Sequence, residues 1–94
     1  MPNFDITIIG AGRVGLPLAL VLEQSGFKIA IKEVNKNTIN CINKKKIPFK
    51  EKGLEKLIKK TKIKTFFDKM PDSDTYIITV GTPLMQNIET DFKY

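Results

Sequence analysis

The sequence has no histidine, a single cysteine, a single arginine and no long apolar run. Without histidine, the chain cannot carry out acid–base or metal chemistry that depends on imidazole. The lone cysteine, Cys41, cannot form a disulfide within the chain, which favours a reducing compartment. No apolar run approaches the roughly 20 residues that a membrane span needs, and the N-terminus lacks the pattern of a secretory leader. These absences predict a cytoplasmic protein with no membrane partner and no metal site.

Positive charge is concentrated in one segment. Ten lysines lie between Lys44 and Lys64, against two acids there, Glu51 and Glu55. Such a cluster could attract nucleic acid or a phosphorylated ligand. Nucleic-acid sites more often use arginine and stacked aromatic side chains, and Phe49 is the only aromatic residue in this segment. We therefore interpret the segment as a solvated face and expect no nucleic-acid partner. Steep salt dependence of DNA binding would support the alternative.

Apolar segments alternate along the chain in a pattern that predicts four strands and three helices. Parallel pairing with right-handed crossovers follows from that alternation. We predict a protein of the α/β class with a partial Rossmann fold: a parallel sheet of about four strands, in the order 3-2-1-4, flanked by helices. The 94 residues would form a single, partial dinucleotide-binding domain over 1–94. The predicted strands are 4–9, 27–33, 62–67 and 75–80, and the predicted helices are 16–26, 34–46 and 54–60.

A glycine-rich loop, GAGRVG, runs from Gly10 to Gly15. The G-x-G-x-x-G motif alone is a weak signal, but here it meets three requirements of context together. It follows a predicted strand, it opens a predicted helix, and an acid, Glu33, ends the next strand. The spacing from Gly10 to Glu33 is close to the roughly 20 positions expected of a dinucleotide-binding unit.

Each part of this motif has a physical role in holding a dinucleotide. Gly10 permits the tight turn, Gly12 lets a pyrophosphate approach the backbone, and Gly15 lets the helix pack closely on the first strand. The helix N-terminus offers free N–H groups and a partial positive charge to the phosphates. In the alternative interpretation, these glycines only form a tight joint between strand and helix.

Glu33 is expected to accept hydrogen bonds from the adenosine ribose. Its carboxylate would repel a 2′-phosphate, which favours NAD over NADP as the cofactor. Lys32 and Lys36 flank the acid and could weaken that discrimination. The alternative is that Glu33 is an ordinary exposed acid at a strand end.

The stretch GAGRVGLPLA, from Gly10 to Ala19, resembles the opening fingerprint of the NAD-dependent UDP-sugar 6-dehydrogenases, such as the UDP-glucose and UDP-N-acetylmannosamine enzymes. The Leu16-Pro17 pair is more specific than the glycines themselves. The resemblance extends over essentially the whole chain. Its further segments are Glu33-Val34-Asn35, Ile47-Pro48, Gly53 to Leu57, Val80 to Leu84 and Asp91 to Tyr94.

The resemblance implies an enzyme that oxidises the C6 alcohol of a sugar to a carboxylate in two NAD-dependent steps. It places Arg13 and Val14 beside the dinucleotide, Glu33 on its ribose, and Thr82 near the cofactor at the end of the fourth strand. The family's catalytic cysteine, its lysine and its sugar-binding domain come later in the sequence, and no residue here matches them. We therefore expect no catalytic residue, a chain that is inactive alone, and a UDP-sugar partner only in a complete enzyme. Cys41, in the second predicted helix, is interpreted as a small core residue.

Three positions depart from the family pattern: Arg13 stands in place of a common tyrosine, Gly81 in place of a proline, and Thr38 in place of a frequent basic residue. Other interpretations stay open. The chain could belong to another G-x-G-x-x-G dehydrogenase, of the 3-hydroxyacyl-CoA or 6-phosphogluconate type. It could also be a stand-alone regulatory module that binds NAD or an adenine nucleotide. In a partial sheet the fourth strand, from Thr75 to Val80, would keep an apolar outer edge, which predicts self-association.

Overall fold

The computed structural model describes residues 2–49 and 51–79. Four strands form one parallel sheet in the order β3-β2-β1-β4, which confirms the predicted order. The elements are β1 (Phe4–Ile9), α1 (Gly15–Gln24), β2 (Ile29–Lys32), α2 (Lys36–Asn43), α3 (Glu55–Lys60), β3 (Lys64–Phe66) and β4 (Ser73–Ile78). Among these described residues, no helix is long and apolar enough to cross a membrane.

The core lies between one face of the sheet and the three helices. Alternating side chains of β1 and β2 point to this face, and each helix adds its apolar side. The buried cluster comprises Ile8, Ile29 and Ile31 of the strands, Leu16, Ala19 and Leu20 of α1, Ile42 of α2, Ile58 of α3, and Ala11, Leu54 and Ile63 of the connections. At about 1.5–3 kcal/mol for each fully buried large side chain, this cluster is what holds α1 against β1.

Helix α1 is fixed at its C-terminal end by the chain that follows it. Gly26 adopts a φ of +109°, and the N–H groups of Gly26 and Phe27 donate to the carbonyls of Glu23 and Leu22, at 3.0 and 3.2 Å. This is the Schellman arrangement that glycine favours just beyond a helix. The prediction that Gly26 ends the first helix is confirmed.

The opposite face of the sheet contains small residues in its centre. Thr7 and Ala30 are paired across β1 and β2 and both are fully buried. The rings of Phe4 and Phe66 meet edge to face with their centroids 5.6 Å apart, so they reach across the intervening strand β2. The Thr7 hydroxyl has no hydrogen-bond partner among the described residues.

Several element boundaries differ from those predicted. The second helix begins at Lys36 rather than at residue 34, because Asn35 caps it and accepts hydrogen bonds from the N–H groups of Asn37 and Thr38, at 2.9 and 3.2 Å. The fourth strand spans Ser73–Ile78, so it starts before the predicted Thr75 and ends before Val80, which lies outside the described residues.

The interpretation of Cys41 as a core residue was wrong. Cys41 is half-buried on α2 and does not belong to the buried cluster, in which Ile42 is the member from this helix. On a helix, adjacent residues point about 100° apart, so only one of these two neighbours can face the sheet directly. The larger apolar side chain takes that position.

Candidate functional site

The carboxyl ends of three neighbouring strands, β2, β1 and β4, lie side by side. Ile9, the last residue of β1, is paired with Lys32 of β2 and with Ile78 of β4. The next residue along each strand is therefore brought to one edge of the sheet: Gly10, Glu33 and Thr79. In an open parallel sheet, this edge is where ligands bind.

Gly10 and Gly15 are glycines because the backbone leaves no room for a side chain. Gly10 has a φ of +100°, and a Cβ added there would lie 2.2 Å from the carbonyl oxygen of Thr79. A Cβ on Gly15 would lie 2.0 Å from the carbonyl oxygen of Gly10 and 2.3 Å from the hydroxyl of Thr79. The tight turn and the close approach of α1 that were predicted for these two glycines are both observed.

Gly12 is different from the other two glycines. A Cβ added at Gly12 would have no atom of residues 2–49 or 51–79 within 4 Å, and the φ of Gly12 is not positive. Neither packing nor backbone conformation among the described residues therefore requires glycine at this position. The open space beside it is where a ligand could approach the backbone.

Thr79 connects the end of β4 to the end of β1 and to the start of the glycine loop. Its N–H donates to the carbonyl of Ile9 at 2.8 Å, and its hydroxyl donates to the carbonyl of Gly10 at 2.8 Å. Thr79 was not predicted as a site residue, because position 79 was predicted to lie inside the fourth strand. The available signal was a hydroxyl residue near the carboxyl end of a strand that pairs with β1.

The carboxylate of Glu33 is bound to the glycine loop itself. One oxygen accepts from the N–H of Ala11 at 2.7 Å, and the other accepts from the N–H of Asn35 at 2.8 Å. Glu33 is half-buried, so it is not an ordinary exposed acid. Each carboxylate oxygen can accept more than one hydrogen bond, and the group therefore keeps acceptor capacity for a ligand hydroxyl.

A pocket of about 520 Å³ opens at this edge of the sheet. Of the predicted site residues, it brings together three: Gly10, Gly12 and Glu33. Its lining also includes residues that had no predicted role in a site, namely Ile9, Ala11, Val34, Asn35 and Thr79, together with Lys32 and Thr38.

The remaining predicted site residues lie around the start of α1 or outside the described chain. Gly15 is buried behind the loop, Val14 is 69% exposed, and Arg13 points its guanidinium over the ring of Phe49. Thr82 lies outside the described residues.

The electrostatic setting of the pocket suits an anion at the loop and a hydroxyl at the acid. Helix α1 has no side-chain cap and no acid in its first turn within the described part of the chain. The N–H of Leu16 donates to the carbonyl of Gly12 at 3.1 Å and Pro17 has no N–H, so a phosphate would meet the partial positive charge of this helix end and the N–H groups that precede Leu16. Of the two lysines that flank the acid, Lys32 lines the pocket. The ammonium of Lys36 lies 4.8 Å from the centre of the Phe67 ring.

These features fit the adenosine and pyrophosphate parts of a dinucleotide. Gly12 gives the open approach to the backbone, the start of α1 gives N–H donors, and Glu33 gives an acceptor beside them. The fold and the pocket together define a nucleotide-binding domain of the Rossmann type. The chain belongs to the UDP-glucose/GDP-mannose dehydrogenase family, since residues 4–94 match the model of that family's NAD-binding domain. The predicted family and NAD as its cofactor are confirmed, and the other dehydrogenase classes are set aside.

Individual relatives agree with this assignment. The chain is 32% identical over 91 residues to the UDP-N-acetyl-D-mannosamine dehydrogenase of Methanococcus maripaludis, in an alignment that covers 90% of this chain and 21% of that protein. It is 33% identical over 96 residues to the GDP-mannose 6-dehydrogenase of Pseudomonas aeruginosa, in an alignment that covers 95% of this chain and 22% of that protein. A crystal structure of a ternary complex of GDP-mannose dehydrogenase from Pseudomonas aeruginosa superimposes with a TM-score of 0.77 at 32% identity, over 92% of this chain and 23% of that one. The chain thus spans roughly a fifth of the length of these relatives.

Proposed function

We propose that this chain binds the adenosine and pyrophosphate of NAD for an enzyme that oxidises the C6 alcohol of a nucleotide sugar to a carboxylate. The observation that carries the proposal is the hydrogen bond of 2.7 Å between the Glu33 carboxylate and the N–H of Ala11. It joins the acid to the glycine loop in one pocket, beside the open approach at Gly12.

The proposed binding residues are Gly10, Gly12, Arg13, Val14, Gly15, Glu33 and Thr82. The start of α1 would hold the pyrophosphate through N–H groups, and Glu33 would accept hydrogen bonds from the ribose hydroxyls. NAD, when bound, supplies the hydride acceptor for the oxidation. The chain's own residues bind and orient the nucleotide, and we assign no catalytic role to any of them.

An NMR titration with NAD, NADP and ATP tests the proposal. We expect saturable shifts of the amides from Gly10 to Gly15 and around Glu33, with tighter binding of NAD than of NADP, because a carboxylate at the ribose repels a 2′-phosphate. Equal shifts with all three ligands would favour an adenine-nucleotide module of another kind. The absence of any shift, in a sample shown to be folded, would contradict the proposal.

The variant Glu33→Gln is expected to narrow the preference for NAD over NADP by about tenfold, which corresponds to about 1.4 kcal/mol. The amide keeps the shape of the side chain and removes the charge that repels the 2′-phosphate. Asp5→Asn is the matched control, since Asp5 also accepts a hydrogen bond from a backbone N–H, that of Lys28 at 2.8 Å, at the amino end of the same strands. If Glu33→Gln left the ratio of the affinities for NAD and NADP unchanged, Glu33 would not bind the ribose.

We also propose that the chain self-associates through β4, as the sequence predicts for the strand from Thr75 to Val80. Two observations support this proposal: β4 pairs only with β1 among the described residues, and its side chains Tyr76 and Ile78 are 43% and 67% exposed. Unpaired strand edges of this kind invite pairing with another chain.

The expected result is a concentration-dependent dimer in sedimentation velocity, which Ile78→Lys weakens because a lysine on an edge opposes strand pairing. Val21→Lys, on the exposed side of α1 at 50% exposure, is the matched control and should leave association unchanged. A strictly monomeric profile at high concentration would overturn the proposal.

The absence of a nucleic-acid partner and a cytoplasmic location are further parts of the proposal. Phe49, the aromatic residue of the lysine-rich segment, packs against the core and under Arg13, so its ring does not stand free for base stacking. The single cysteine supports a reducing compartment.

A further inference from the structure

The chain's only arginine lies in the glycine loop and rests on a distant aromatic ring. The guanidinium carbon of Arg13 lies 5.6 Å from the centre of the Phe49 ring, which is within the range of a cation–π contact. Phe49 comes from the segment between α2 and α3, and its ring is half-buried and packed against the core cluster. The ring is therefore a fixed platform, whereas Arg13 itself is exposed.

The glycine loop needs a cation for a reason that lies within the pocket. The Glu33 carboxylate occupies the N–H of Ala11 at 2.7 Å, so this N–H is already engaged and a negative charge sits against the loop. A pyrophosphate that approaches through the open space at Gly12 would meet that charge at short range. Arg13, the next residue after Gly12, is the cation on the loop itself that offsets this repulsion.

The surroundings of Phe49 also direct the guanidinium toward the loop. Phe49 also lines a cleft of about 480 Å³ whose lining includes four lysines, Lys45, Lys46, Lys52 and Lys59, against two acids, Glu51 and Glu55, so the cleft carries an excess of positive charge. Like charges repel, which disfavours rotation of Arg13 into that cleft. A guanidinium that lies over a ring keeps the five N–H donors of its planar fork free for hydrogen bonds to phosphate.

We propose that Arg13 binds the pyrophosphate of the nucleotide and that Phe49 is the positioning residue that holds its guanidinium beside the loop. This inference rests on the proposed function of the pocket. It gives the segment between α2 and α3 a part in cofactor binding, although Phe49 itself touches Arg13 rather than the nucleotide. It also gives a role to Arg13, which occupies a position where the family commonly has tyrosine.

A double-mutant cycle with Arg13→Gln and Phe49→Leu tests the proposal, with ADP and adenosine as the probes. ADP carries the pyrophosphate and adenosine does not. We expect Arg13→Gln to weaken ADP binding about tenfold, as for a charge-assisted hydrogen bond. Phe49→Leu should weaken ADP binding about threefold, as for an exposed cation–π contact. In a chain that already carries Arg13→Gln, Phe49→Leu should not weaken ADP binding further. Adenosine binding should stay within about twofold of wild type in every variant.

The controls separate positioning from general loss of structure. Phe49→Tyr keeps the ring and should restore ADP binding to the wild-type level. Phe27→Leu removes an aromatic side chain that is 44% exposed in the connection between α1 and β2 and should change neither ligand's affinity. In the free chain, the Arg13 side-chain protons should show an upfield ring-current shift that Phe49→Leu abolishes.

Three outcomes would overturn the inference. Suppose that ADP shifts the Gly12 amide but that Arg13→Gln does not lower the affinity for ADP. The pyrophosphate then does not contact Arg13, and the proposed function still stands. If Phe49→Leu weakens ADP and adenosine equally, or acts equally with and without Arg13, then Phe49 has a structural role only. If the folded wild-type chain binds neither probe, the proposed function fails and this inference fails with it.

Discussion

Replacing Gly15 with alanine is expected to lower the free energy of unfolding by about 3 kcal/mol, at the upper end of what overpacking costs. The new methyl group would lie 2.0 Å from the carbonyl oxygen of Gly10 and 2.3 Å from the hydroxyl of Thr79. Relief requires α1 to move away from β1, and α1 contributes Leu16, which is fully buried. A loss of this size is a large part of the roughly 5–15 kcal/mol that stabilises a typical domain.

Urea denaturation followed by circular dichroism measures this effect. The matched control is Gly12→Ala, three residues earlier in the same loop, where the added methyl group meets no atom within 4 Å in the described part of the chain. Thr79→Ala, combined with Gly15→Ala, separates the two contacts: it removes the hydroxyl but leaves the Gly10 carbonyl in place, so only part of the stability should return. A Gly15→Ala variant as stable as wild type would contradict the close approach of α1 to the loop.

The order of the sheet could be predicted from the sequence because few topologies are compatible with it. Strands that alternate with helices are expected to be parallel and to connect by right-handed crossovers. Among the few orders that remain, the dinucleotide-binding glycine loop after β1 favours β3-β2-β1-β4, which the structure has. The glycine loop and Glu33 could be predicted for a similar reason. Their positions relative to β1 and β2 are fixed by chain order, and the parallel register brings their ends together.

The parts of the site that the sequence did not reveal depend on contacts between distant segments. Thr79 becomes part of the loop only because Ile9 pairs with Ile78, and this register is a property of the folded sheet. The contact between Arg13 and Phe49 likewise has no local signal. Asn35 did carry a local signal, since asparagine is a preferred N-cap residue. The helix was nevertheless predicted to begin two positions too early, because the residue before Asn35 is apolar.

Gly10, Gly12 and Gly15 look alike in the sequence, yet the structure separates them by cause. Gly10 and Gly15 are required by the backbone around them, whereas no atom of the described residues lies within 4 Å of a Cβ at Gly12. The contacts among the described residues therefore do not account for glycine at position 12, and the proposed function accounts for it by a bound pyrophosphate. This difference allows the fold and the binding site to be tested independently by one substitution at each position.

Gly12→Ala is expected to weaken NAD binding at least about tenfold while leaving the free energy of unfolding unchanged or raised by about 0.4–1 kcal/mol. The small gain follows because alanine has fewer conformations to lose on folding and the φ of Gly12 is not positive. The loss of affinity follows because the methyl group would fill the space through which the pyrophosphate approaches the backbone. Calorimetric titration with NAD and with adenosine measures it, and adenosine, which lacks the pyrophosphate, should be affected much less. If Gly12→Ala bound NAD as well as wild type, the pyrophosphate would have to lie elsewhere, and the loop would be a strand–helix joint alone.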